Sequence, residues 1–212
     1  MDYFSNWDTF YKLKPQGGQW GNEKDPPDIH VKDFFESTNL TDAIILDSGC
    51  ADGKNTNYIS SLGHTTYGID ISETVINRVK NKVKGKFSVQ DCKQTNFKDN
   101  MFDAIIDAGC LHVNEPHTHT DILREYIRIL KPNGMLAIRL FNSESNSNMP
   151  IFSVAGDELY MPVYGFDNLL FEHNITTKFK ILDYKFDPNY SAIGKGCHYY
   201  CLLYTSPSPR DS

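Results

Sequence analysis

Four aspartates, a loop of small residues and one histidine offer most of the chemistry in this chain. Asp47 closes a short apolar run at residues 44–47, and Gly49, Ala51 and Gly53 follow at two-residue spacing. An apolar strand, a tight turn and a helix start form the geometry in which backbone N–H groups and a helix N-terminus face a ligand. The spacing is D-x-G-x-A-x-G, not the G-x-G-x-x-G of a dinucleotide turn. Alone, this loop says only that some nucleotide-like ligand sits at the first strand–helix turn. Asp70 ends the next apolar run, about where an acid that holds a ribose diol belongs in a doubly wound fold. A carboxylate has acceptor sites for both hydroxyls. Its plainer role is a helix cap, which Ser72 can also fill. Asp91 and Asp107 end two further runs, and His112 follows in the loop after Asp107. His112 is a candidate for substrate contact or general base, set against a packed, hydrogen-bonded histidine.

Strands and helices must hold these residues. From residue 43 to 141 the two patterns alternate, which predicts a parallel sheet with helices on both faces. Strands are expected at 44–47, 65–69, 86–89, 102–106 and 135–141. Helices are expected at 54–62, stopped by Gly63, after the cap Ser72 with Val75, Ile76 and Val79 inward, and over about 120–130. Lys131-Pro132-Asn133-Gly134 should break the last of these. Residues 29–35 suggest a helix leading into the core. The polar stretch 142–165 reads as a long loop, of a length that is often functional. A short helix over 166–174 and an antiparallel strand pair at 177–186 and 196–204 complete the chain. The expected class is α/β: a doubly wound, mostly parallel seven-strand sheet, Rossmann-like, with helices on both faces and a C-terminal antiparallel hairpin.

With 212 residues the chain suits one domain able to bury a real core. A net charge of −6 argues against a general nucleic-acid surface, which needs clustered Lys and Arg. No apolar run approaches the roughly 20 residues of a membrane span, and the N-terminus lacks the regions of a signal peptide. The five cysteines form no C-x-x-C pair, so a reducing, cytoplasmic compartment is expected. His117 and His119 make an H-x-H without a further ligand, and no metal site is expected.

In order along the chain, residues 47–53, GIDIS at 68–72, Asp91-Cys92, FDAIIDAGCLHV at 102–113 and ILKPNGMLAI at 129–138 resemble the motifs of class I S-adenosylmethionine-dependent methyltransferases. The resemblance implies S-adenosylmethionine as cofactor, with Gly49, Cys50, Ala51 and Gly53 forming its loop and Asp70-Ile71 holding the ribose. It puts Asp91 and the Cys92 N–H at adenine, and Asp47 near the methionine amino group or capping the loop. Asp107, Ala108 and Gly109 would meet the cofactor through backbone carbonyls. Trp7, Asp8, Phe10 and Tyr11, followed by Gln19-Trp20-Gly21, resemble the opening segment of small-molecule methyltransferases of the thiopurine and tellurite-resistance type. There the segment covers cofactor and substrate, so Trp7 and Trp20 become candidate caps; the plainer reading is an arm packed over the core. The implied reaction is in-line displacement onto a small-molecule acceptor. A soft nucleophile needs no base, whereas a hydroxyl or ammonium would need one, with His112 or Tyr11 as candidates.

Three departures bear on this reading. Ala51 stands where the family has its middle glycine, and Asn133 replaces a glycine in the turn before the fifth strand, where asparagine tolerates a left-handed backbone. The [N/D]-P-P-[Y/F] motif of nucleic-acid amino methylation is absent. A non-catalytic adenosyl-binding protein remains an alternative; a nicotinamide-dependent oxidoreductase is disfavoured by the missing G-x-G-x-x-G. The expected division is an aromatic arm at 1–35, a methyltransferase domain at 36–200 and a tail at 201–212. Residues 201–211 resemble a translated sequencing adapter and are expected to be non-native.

Overall fold

A computed structural model describes residues 3–13, 23–142, 147–154, 157–166, 171–172, 175, 177–189 and 196–205. Its elements are α1 (Tyr3–Leu13), α2 (Ile29–Ser37), β1 (Ile44–Ser48), α3 (Lys54–Ser61), β2 (Thr65–Asp70), α4 (Glu73–Val79), β3 (Lys86–Val89) and β4 (Phe102–Asp107). Then come α5 (His119–Ile129), β5 (Leu130–Phe141), β6 (Ser147–Val154), β7 (Asp157–Val163), β8 (Phe179–Asp187) and β9 (Cys197–Tyr204). The main sheet has seven strands in the order β3-β2-β1-β4-β5-β9-β8. Its first five are parallel, while β9 runs antiparallel to both neighbours.

Alternation along the strands sends side chains to two cores. Ile45, Ala104, Ile106 and Ala137 face Val31 and Phe34 of α2 and Ile59 of α3. Leu46, Ile105, Leu136 and Ile138 face Ile122, Tyr126 and Ile129 of α5. The stripe on α5 therefore follows the 3.6-residue period read from the sequence, and each fully buried isoleucine contributes about 1.5–3 kcal/mol. Ser72 caps α4 by accepting the Val75 N–H at 3.3 Å, as expected. Asp8 of α1 also docks there, accepting from Ser72 Oγ at 2.7 Å and Thr74 N at 2.9 Å.

Several expectations need correction. The arm is helical rather than irregular over α1, and Trp7, Phe10 and Tyr11 are buried against Val75, Ile76 and Val79. The helix expected over residues 29–35 is α2, which extends to Ser37. The helix α5 ends at Ile129, before residues 131–134 as expected, but β5 starts at Leu130 rather than 135 and runs through them with Asn133 at φ 63° and a register shift opposite β4. The polar stretch 142–165 contains a hairpin, because β6 and β7 pair as a separate antiparallel ribbon. Pro150 and Pro162 fit there because a two-stranded ribbon has only edges, where proline is tolerated. Phe166 bridges to Asn142 rather than opening a helix, and most of 167–174 lies outside the described residues. As expected of the strand at 196–204, the first residues of the suspected tail complete β9: Cys201, Leu202 and Leu203 pair with Ala137, Leu136 and Met135, and residues 206–212 lie outside the described part. Trp20 also lies outside it. Among the described residues no helix is long and apolar enough to cross a membrane.

Candidate functional site

The strand order reverses between β1 and β4, and a pocket opens at the C-terminal ends of the strands there, as open α/β sheets favour. The loop after β1 forms its floor. Gly49 (φ 70°), Ala51 (φ 47°) and Gly53 (φ 82°) are all left-handed. A Cβ on Gly53 would come within 2.5 Å of Val79, so only glycine lets α3 start this close to α4. Ala51 occupies a left-handed conformation that costs an L-residue roughly 1–2 kcal/mol.

Asp70 stands at the end of β2, 8% exposed, on the pocket wall. Its Oδ2 accepts the Ala51 N–H at 3.2 Å and its Oδ1 the Ser72 N–H at 3.0 Å. Burial pushes its carboxyl up to about 6, against those N–H bonds. A carboxylate offers about four acceptor sites, so two remain. Asp91 lies at the rim, accepting the Lys93 N–H at 2.9 Å. Ile71, Cys50, Cys92, Ala108 and Gly109 line the same space.

Asp47 and Asp107 do not line the pocket with the others. The Asp47 carboxylate is 1% exposed and accepts Thr56 Oγ1 at 2.5 Å, tying β1 to α3, while burial pushes it up to about 7. Asp107 organises the turn after β4, accepting the N–H groups of Gly109 at 3.0 Å and Cys110 at 2.6 Å and the Tyr126 hydroxyl at 2.9 Å. Both aspartates support the floor; the pocket meets the backbone they hold.

His112 is 2% exposed, stacked on Phe141 at 3.8 Å, with Nδ1 unpartnered among the described residues. Burial, reinforced by Arg139, holds it well below the usual histidine range, so the ring is neutral. Tyr11 and Trp7 line the opposite side, and burial pushes the Tyr11 phenol well up. Neither candidate base is therefore a strong one at neutral pH. His119 bonds the Asn114 carbonyl at 2.8 Å and stacks on Phe166, while His117 faces Glu115.

The sequence reading missed one charged corner. Asp28 accepts Lys54 Nζ at 2.6 Å and Asn55 Nδ2 at 3.2 Å, and lies 3.6 Å from Arg139 Nη1. Arg139 also donates to the Ala108 carbonyl. Although burial pushes Asp28 up, Arg139 and Lys54 hold it below the ordinary carboxylate range. The available signal was Arg139 itself, one cation inside the apolar strand LAIRLF, since a buried charge is more informative than a buried leucine.

The set suits an adenosyl ligand: spare acceptors at Asp70 for a diol, a mixed-charge corner for an amino-acid end, and glycine backbone between them. Comparison with known proteins agrees. The methyltransferase-domain family profile matches residues 46–138. One uncharacterized methyltransferase of Schizosaccharomyces pombe is 37% identical over 84 residues, covering 35% of this chain and 58% of that protein. A second from the same yeast is 31% identical over 109 residues, covering 49% of this chain and 74% of its own length. The fold matches a Burkholderia thailandensis 1,6-didemethyltoxoflavin-N1-methyltransferase, solved with 1,6-didemethyltoxoflavin and S-adenosylhomocysteine, at TM-score 0.71 and 19% identity, covering 96% of this chain and 88% of that one. By motif order, sheet topology and these matches, the chain belongs to the class I S-adenosylmethionine-dependent methyltransferase family.

Proposed function

We propose that the protein methylates a small-molecule acceptor, using the pocket at the ends of β1, β2, β4 and β5 for both cofactor and acceptor. The observation that carries this is the convergence of Asp70, Asp91 and the 49–53 loop on one pocket at the reversal of strand order. When bound, S-adenosylmethionine supplies an electrophilic methyl group on a sulfonium. Asp70, steadied by Ala51 and Ser72, accepts from the ribose hydroxyls, and Asp91 with the Cys92 N–H meets adenine. Gly49 and Ala108 offer backbone to the amino-acid end, and the Asp28–Lys54–Arg139 corner matches its two opposite charges. Trp7 and Tyr11 cover the pocket and exclude water, which strengthens every polar contact inside.

His112 and Tyr11 line the pocket, but burial leaves both poorly suited to take a proton. This favours an acceptor that is already a soft nucleophile, such as a thiolate or halide, for which alignment does most of the work. His112 then orients the acceptor. The five cysteines, all free, support a reducing and cytoplasmic setting. The test is label transfer from methyl-labelled cofactor to a panel of thiols, halides, amines and phenols. Transfer to thiols or halides supports the reading. Tight cofactor binding with no transfer to any member favours the non-catalytic alternative.

A further inference from the structure

Three of the five cysteines line the pocket, and two of them touch. Cys110 Sγ lies 3.6 Å from Cys92 Sγ and donates to it. Asn114 Nδ2 approaches the same sulfurs at 3.9 Å and 4.0 Å while bonding the Cys110 carbonyl at 2.7 Å. Both cysteines sit in turns beyond strand ends, Cys92 after β3 and Cys110 after β4, where backbone yields more easily than in the sheet. Cys92 is 8% exposed and Cys110 is half-buried, and both line the pocket together with Asp91. The geometry points to a modification site: Cys92 and Cys110 form an oxidisable thiol pair in the floor of the cofactor pocket, which a peroxide converts to a disulfide and a bound adenosyl ligand shields.

The donor arrangement assigns the order of events. Cys92 is assigned as the attacking sulfur because its Sγ accepts from Cys110 Sγ at 3.6 Å and lies 3.9 Å from Asn114 Nδ2. The bond to Cys92, and then burial, push the Cys110 thiol up, so it keeps its proton until the second step. Cys92 sulfur attacks the O–O bond of hydrogen peroxide, forming Cys92–S–OH and releasing water. Cys110 sulfur then displaces that hydroxyl, which leaves with the Cys110 proton as a second water. Two thiols are oxidised, one peroxide is reduced, and one S–S bond forms. To reach a bond of about 2.05 Å the sulfurs must close by roughly 1.5 Å, drawing the two turns together across the pocket floor. A sensor thiol beside a resolving thiol is the arrangement that stops oxidation at the reversible disulfide. Shielding rests on the cofactor reading above; formation of the disulfide does not.

The full chain, free and with excess S-adenosylhomocysteine, is treated with hydrogen peroxide, quenched with N-ethylmaleimide and mapped by peptide mass spectrometry. The expected result in the free protein is a Cys92–Cys110 cross-link that dithiothreitol reverses, formed about tenfold more slowly with the ligand present. The oxidised protein should bind S-adenosylhomocysteine about tenfold or more weakly and recover on reduction. Cys110→Ser should leave a Cys92 sulfenic acid that dimedone traps, and Cys92→Ser should form neither species. Oxidation at Cys50, Cys197 or Cys201 while the pair stays as free thiols overturns the proposal, as does a cross-link that leaves affinity unchanged. If the cross-link forms but reduced protein binds no S-adenosylhomocysteine, the cofactor reading fails and the thiol pair stands.

Discussion

Replacing Asp70 by asparagine separates its two tasks. The carboxylate accepts one N–H on each oxygen, from Ala51 and Ser72, and in the proposed complex also receives the ribose hydroxyls. An amide keeps one acceptor oxygen and presents an NH2 where a second acceptor was needed. It can hold the loop or meet the diol, but it cannot do both. Losing one hydrogen bond to a charged acceptor costs about 1.5–3 kcal/mol, so the dissociation constant for S-adenosylhomocysteine should rise roughly 10–150-fold. Stability of the free protein should change by only about 1 kcal/mol, because the burial cost of an ionised Asp70 disappears as the loop bond weakens. Isothermal titration with S-adenosylhomocysteine and its 2′,3′-dideoxy analogue provides the assay. The analogue should bind the natural protein and the variant alike. A variant that binds S-adenosylhomocysteine within about threefold of the natural protein, or that loses the analogue equally, refutes the diol assignment.

Other consequences follow from the same contacts. Burial holds Asp70 protonated up to about pH 6 in the free pocket, and hydroxyl donors favour its ionised form, so binding releases a proton. Affinity should therefore be full above pH 7 and weaken as pH falls through about 6; equal affinity at pH 5 and pH 8 would contradict this. Ala51→Gly removes left-handed strain of about 1–2 kcal/mol but adds unfolded-chain entropy of about 0.4–1 kcal/mol, so denaturant midpoints should show a net gain of about 0.8 kcal/mol. Asp8→Ala strips the acceptor shared by Ser72 Oγ and the Thr74 N–H and should cost about 0.5–2 kcal/mol, with faster proteolysis of the N-terminal helix. His112→Gln should leave cofactor affinity unchanged while raising KM for the acceptor, if the ring orients the acceptor as proposed; an unaltered KM would refute that role.

The sequence was most legible where local chemistry and global fold agree. The strand–loop–helix at residues 44–56, the Ser72 cap and the α5 stripe each follow from turn residues and periodicity acting over a few positions. Asp70 was legible as a pocket residue because it is the last residue of β2, whereas Asp91 lines the same pocket from a turn two residues beyond β3. Asp47 and Asp107 were harder, because a carboxylate at a strand end can face the ligand or the backbone beneath it. Here Thr56 and Tyr126 capture them, and both partners come from other elements. The Asp28–Lys54–Arg139 corner was hidden for the same reason, since it joins three distant parts of the chain. The hairpin of β6 and β7 escaped notice because its polar sequence and two prolines suit an edge ribbon as readily as a loop. Nothing in the spacing of Cys92 and Cys110 announces that β3 and β4, not sheet neighbours, end with their thiols in contact.

The central claim is that this pocket is built for an adenosyl group, and a melting curve with ligand tests it directly. S-adenosylhomocysteine at a hundred times its dissociation constant should stabilise the protein by about 2.7 kcal/mol, a shift of about 5–11 °C for a chain of this size, while NAD should produce none. Stabilisation by NAD with no response to S-adenosylhomocysteine would contradict the account.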